Sequence, residues 1–203
     1  MKRIAVIIVL VSCSLVSAHA DKRPYKSFTF GAEWEYMSSF HYGFHHNFFS
    51  QEGYRVDINH SSFGYEGNGG VYLHCGYNVS NSWNISLYSG LMGIYDLGRA
   101  IPISLRVTGY FNENDSEDRW LGFMEAGSGV NIKKNPQMLA IGKIGGGYRI
   151  SLSHTTKLDL LVSYRMSLTH PYVIYDGYEV QHEMINRNNA YVSALTLGIS
   201  LTL

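Results

Sequence analysis

Residues 189–203 alternate with a period of two almost without a break, and they stand at the end of the sequence. Tyr191, Leu195, Leu197, Ile199, Leu201 and Leu203 share one face, while Ala194, Thr196, Gly198, Ser200 and Thr202 share the other. That pattern is a strand with one apolar face. Strands of globular proteins run about 5–6 residues, whereas a tilted strand that crosses a bilayer needs about 9–11. The segment is therefore expected to close a transmembrane β-barrel, and the rest of the chain has to supply the other strands.

The same alternation predicts seven more strands, at 27–38, 69–79, 83–95, 101–111, 120–131, 138–150 and 156–168. In the first, Phe28, Phe30, Ala32, Trp34 and Tyr36 point outward and Thr29, Gly31, Glu33 and Glu35 inward. In the seventh, Leu158, Leu160, Val162, Tyr164, Met166 and Leu168 point outward and Asp159, Ser163 and Arg165 inward. The fifth and sixth are rich in glycine and alternate poorly. Connections 80–82, 112–119 and 151–155 follow the even strands; 39–68, 96–100, 132–137 and 169–188 follow the odd ones. The two longest, 39–68 and 169–188, belong to the second set, as expected of a barrel with short periplasmic turns and longer extracellular loops. An even strand number places both termini in the periplasm.

Charge placement is a check on this register. Glu33, Glu35, Arg106, Asp159 and Arg165 all lie opposite a clean apolar face. Glu125, Lys143 and Arg149 are placed inward by choosing the face that holds them. A Lys or Arg facing lipid at the midplane costs about 2–4 kcal/mol, so strand charges belong in the lumen or at the rims. An eight-stranded barrel has an interior just wide enough for side chains, and buried charges must pair there. The expectation is a salt-bridged core, helped by inward Tyr72, Tyr88 and Tyr110; a narrow ion path through that core is the sharper alternative. Tyr77, Trp83, Phe111, Trp120 and Tyr148 would form one aromatic girdle, and Trp34, Tyr36, Tyr95 and Tyr191 the other.

The N-terminus opens with Met1-Lys2-Arg3, continues through the apolar run 4–11 and reaches Ser17-Ala18-His19-Ala20. A basic start, a short apolar core and a small-x-small site describe a cleaved signal peptide at 1–20, followed by a single barrel domain at 21–203. Leu10-Val11-Ser12-Cys13 also looks like a lipoprotein processing site, but apolar residues continue past Cys13, which favours cleavage after Ala20. Cleavage would take Lys2 and Arg3, leaving 14 basic against 16 acidic residues from the 16 and 16 of the full sequence. A net charge near −2 gives no field for nucleic acid. Cys75 would be left as the only cysteine, so no intramolecular disulfide can form. Sixteen Tyr, nine Phe, three Trp and 21 Gly against four Pro fit a chain made of strands with aromatic girdles.

The predicted fold class is thus all-β, an eight-stranded antiparallel up-and-down transmembrane β-barrel with a filled polar interior. With its closing strand Ala194-Leu195-Thr196-Leu197-Gly198-Ile199-Ser200-Leu201-Thr202-Leu203, the chain resembles the small eight-stranded outer-membrane β-barrel family, typified by the transmembrane domain of outer membrane protein A. The resemblance covers about residues 25–203 and implies location in a bacterial outer membrane. It also implies lipopolysaccharide and other outer-membrane lipids as surroundings, and the barrel assembly machinery as a partner. Many family members end in Phe; this sequence ends in Leu203.

No catalytic, cofactor-binding or metal-ligating residue is assigned. The segment His41-Tyr42-Gly43-Phe44-His45-His46-Asn47-Phe48-Phe49, with His60, is rich in imidazole, but its spacing matches no zinc pattern. Asp57, His60, Ser61 and Ser62 lie close together, the residue types of an outer-leaflet lipid-modifying enzyme of the lipid A deacylase or acyltransferase type. The His-x-Ser of the deacylases is absent. A soluble lipocalin-like barrel would assign the opposite faces. The favoured reading is a membrane-anchored scaffold with no open pore, whose loops 39–68 and 169–188 carry any extracellular ligand or a role in envelope integrity.

Overall fold

The computed structural model describes residues 27–95, 98–112, 117–132 and 137–203. The expected signal peptide at 1–20, with Cys13, lies outside the described residues.

Eight long strands form the barrel: β1 (Phe28–Phe49), β2 (Arg55–Asn78), β3 (Trp83–Gly93), β4 (Arg99–Tyr110), β5 (Arg119–Asn131), β6 (Met138–Ser151), β7 (Lys157–Thr169) and β10 (Ile185–Thr202). Two short strands, β8 (Ile174–Tyr175) and β9 (Tyr178–Glu179), form a separate hairpin before β10. Each long strand pairs antiparallel with its neighbours in the closed order β1-β10-β7-β6-β5-β4-β3-β2. The terminal strand closes the ring on β1, with Gly31 opposite Thr202 and Trp34 opposite Ile199. Within the ring each strand is paired on both sides, the condition for strands in hydrocarbon.

The expected polarity holds around the ring. Leu195, Leu197, Ile199, Leu201 and Leu203 are exposed on the outside, while Thr196, Ser200 and Thr202 are buried inside. Exposed Val71, Leu73, Leu87, Ile103, Leu105, Ile144 and Val162 continue the apolar belt on the other strands. A belt of this extent exceeds the apolar patch that a soluble monomer exposes; hydrocarbon is its natural surrounding. At the short-turn end Trp120 meets Tyr148 edge-on at 5.1 Å, and Phe28 meets Tyr77 at 5.1 Å. Poor alternation in β6 has a packing cause. A Cβ at Gly145 would strike Ser163 and the Val162 carbonyl, and one at Gly147 would strike the Leu160 carbonyl. The backbones of β6 and β7 approach too closely there for a side chain.

One expectation needs correction. Residues 39–68 are not a loop: β1 continues to Phe49 and β2 begins at Arg55, in unbroken pairing from Phe49–Arg55 to Tyr42–Ser62. Likewise 169–188 holds the β8–β9 hairpin, a 3-10 turn at His182–Met184 and the start of β10. The change escapes a period-two reading because a β-bulge interrupts it. Ser39 pairs with Glu66, but His41 pairs with Phe63, so one residue of β1 faces two of β2. Phe40 packs on outward Tyr164 and His41 on outward Tyr191. Two successive residues thus face outward, and beyond the bulge the even-numbered side chains of β1 turn inward. Such a bulge bends and twists its strand.

Candidate functional site

All eight charges expected in the lumen are there, each no more than 6% exposed. Arg106 grips Glu33 with both terminal nitrogens, at 2.6 and 2.9 Å, and reaches Glu125 at 2.7 Å. Lys143 lies 2.8 Å from Glu35, 3.4 Å from Glu33 and 3.5 Å from Glu125. Arg165 completes the layer against Glu35 at 2.5 Å. Three carboxylates and three cations therefore balance at the centre. Tyr72 donates to Glu35 and Ser104 to Glu125, while the Tyr88 oxygen accepts from Arg106 at 3.0 Å. Such hydrogen bonds offset the cost of burying the charges, although Arg165 Nε has no hydrogen-bond partner among the described residues.

Nearer the short turns, Arg149 holds Asp159 through two bonds of 2.7 Å. Tyr110 lies between two guanidinium groups, Arg119 at 3.9 Å and Arg149 at 4.5 Å. Arg119, Lys157 and His74 also face the lumen; Arg119 precedes the strand expected at 120–131, whereas Lys157 and His74 share the inward parity of 156–168 and 69–79 and were legible there. A space of about 20 Å³ remains between His74, Tyr88, Arg106 and Phe123. That is room for about one water.

The long-hairpin end is different. Beyond the bulge, β1 is flanked by β2 and β10, with Phe44 between His60 and Ala190. Residues 40–49 carry this three-stranded sheet about 30 Å past the bulge, at about 3.3 Å per residue. Its outward face bears His41, which stacks on Phe63 at 4.6 Å and shares a 2.8 Å hydrogen bond with Ser61. Asp57 on the same face bonds His45 at 2.7 Å and accepts from Asn47 at 2.8 Å. The His45 hydrogen bond, joined by that of Asn47 against a smaller opposing effect of burial, holds the Asp57 carboxyl below its usual range. The inward face is aromatic: Tyr42 stacks on Tyr95 at 5.2 Å, and Phe44 contacts His46 and His60. Burial first, and then His45, lower the His46 pKa.

These contacts decide how the sequence candidates combine. The imidazoles divide between two faces, and among the described residues no group of three His, Cys, Asp or Glu side chains gathers to hold a metal. Ser61 meets His41, while Asp57 meets His45. His60 stands opposite Phe44 and Ser62 opposite Tyr42. A nucleophilic triad needs one imidazole that serves both hydroxyl and acid; this sheet divides the two bonds between two histidines.

Two turns cap the sheet. Gly53, at φ 85°, ends the β1–β2 turn, in which the Ser50 amide donates to the Tyr54 carbonyl at 2.9 Å. Asp176 and Gly177 both have positive φ between paired Tyr175 and Tyr178. This is the Asp-Gly turn of a two-residue hairpin, a signal readable from the sequence. Phe48, fully buried, meets the Tyr175 ring at 5.3 Å and docks the second hairpin on the first.

No protein-family description matches the sequence, and no curated protein matches it either. Solved structures do. The outer membrane protein OprG from Pseudomonas aeruginosa is similar with a TM-score of 0.50 and 10% identity, over 87% of this chain and 94% of that one. Neisserial surface protein A gives 0.48 and 12%, over 85% and 95%. At such identities the likeness to OprG concerns the fold alone: the chain has the fold of the small eight-stranded outer-membrane β-barrels.

Proposed function

We propose that this protein resides in the bacterial outer membrane as an anchored scaffold. Its barrel conducts nothing, and its extended β1–β2 hairpin, with the docked β8–β9 hairpin, carries recognition outside the cell. The supporting observation is the contrast between the two ends. The lumen is crossed by the Glu33–Arg106–Glu125 ion pairs, whereas among the described residues ordered sheet continues far beyond the apolar belt at one end. A filled barrel suits anchoring, and loops held by a rigid scaffold suit binding. In this setting lipopolysaccharide surrounds the belt and the barrel assembly machinery inserts the chain.

An epitope placed between Gln51 and Gly53 tests the reading. The protein is expected in the outer-membrane fraction, with the epitope labelled by antibody on intact cells. Recovery in the soluble periplasm, or labelling only after the outer membrane is permeabilised, overturns it.

A further inference from the structure

The two outermost turns enclose a cleft of about 200 Å³ between the tip of the β1–β2 hairpin and the segment 175–184. Its walls are aromatic: Phe48 and Phe49 from β1, Tyr54 from the turn, Tyr175 and Tyr178 from the second hairpin. Tyr54 and Tyr178 remain substantially exposed, so the rings are open to a ligand. Glu52, Asp176 and Glu179 also line it, and among the described residues no Lys, Arg or His does. The Tyr175 phenol is held above its usual pKa first by its hydrogen bond to Tyr54, with Asp176 and Glu52 adding to the effect. Both carboxylates therefore act on the same ring.

An independent observation points to an occupant. Ser50 lines the cleft and is only 7% exposed, yet its Oγ has no hydrogen-bond partner among the described residues. A buried hydroxyl left unpaired carries a desolvation cost that a ligand can relieve. The volume is below the roughly 300–1,000 Å³ of drug-sized pockets and suits one side chain.

We propose that this cleft binds a lysine or arginine side chain presented by a basic segment of another protein. The tyrosine faces attract a cation held above them, exposed Phe49 covers its apolar stem, and the carboxylates supply the opposite charge. The Ser50 oxygen accepts an N–H bond. That last contact favours an amine or guanidinium over a quaternary ammonium, which has no N–H to donate. The inference rests on the reading of the hairpins as recognition elements, and adds what they recognise.

The test uses the full chain refolded in detergent and a fluorescent peptide of alternating arginine and glycine, with a citrulline peptide as neutral control. Saturable binding of the arginine peptide, absent for citrulline, is expected. The combined change Glu52→Gln, Asp176→Asn and Glu179→Gln should weaken it about tenfold, as loss of several partly exposed charge contacts would. Asparagine tolerates the left-handed backbone at 176, so the turn is kept, and retained heat-modifiable gel mobility confirms folding. Ser50→Ala should weaken binding as well. Equal binding of citrulline peptide, or no change in the combined variant, overturns the proposal. Displacement by tetramethylammonium with no effect of Ser50→Ala also overturns it, and reassigns the cleft to quaternary ammonium. Binding in detergent does not depend on cellular location, so its failure is distinct from failure of the epitope experiment.

Discussion

Arg106 and Glu33 face each other across the lumen through a two-pronged ion pair, although 73 positions separate them in the chain. The pair ties β4 to β1 through the interior, between strands that are not neighbours in the ring. It therefore acts as a cross-brace that wall hydrogen bonds cannot provide.

Removing one partner should be costly. Glu33→Ala leaves Arg106 with a single carboxylate partner, Glu125, and Arg106→Ala leaves Glu33 and Glu125 sharing Lys143 as their cation among the described residues. Either change is expected to destabilise the barrel by about 3–5 kcal/mol, read from urea unfolding in lipid vesicles. The double change Glu33→Met with Arg106→Leu should cost less than the sum of the single ones, because it strands no unpaired charge.

The outer belt makes the opposite demand. Leu197 lies opposite Tyr36 and Val162, near the middle of the apolar strand faces. Leu197→Arg is expected to cost about 2–4 kcal/mol in vesicles, whereas at the interface the cost falls to about 0–1 kcal/mol. Phe63, 81% exposed beyond the bulge, should therefore accept Arg with little change in the same unfolding assay. Equal costs at the two sites would place the bilayer boundary elsewhere.

Acid should loosen the extended sheet before the barrel. His46 has a lowered pKa from burial and from His45, so its contribution is present above the ordinary histidine value of about 6.5 and is lost as pH falls. Asp57, lowered mainly by the His45 hydrogen bond, contributes above the ordinary aspartate value of about 3.9 and is lost as pH falls through its lower folded value. Hydrogen exchange of residues 41–63 is expected to quicken in these two steps while residues 195–202 stay protected. Asp57→Asn should remove the second step and leave the first.

Much of this was legible because lipid imposes a simple rule. Wherever a strand alternated cleanly, as in β7 and the end of β10, the lumen face followed, and Glu33, Glu35 and Arg165 landed inside. What escaped was written in another code. Above the belt both faces are polar or aromatic, so Tyr42 through Phe49 show no apolar period, although they form a strand. The bulge beside Phe40 also shifts the phase of β1 relative to β10. The pairing of Ser61 with His41, rather than with nearby His60, follows from that phase shift and from cross-strand register. Local spacing carries neither. The tip cleft brings Glu52 to Asp176 and Glu179 from far along the chain, a proximity only the closed ring creates.

The central claim is a filled barrel that anchors rather than conducts, and single-channel recording of the protein refolded into planar bilayers tests it most directly. A flat baseline is expected under applied voltage, at neutral pH and moderate salt. Reproducible unitary steps from the unaltered chain would contradict it.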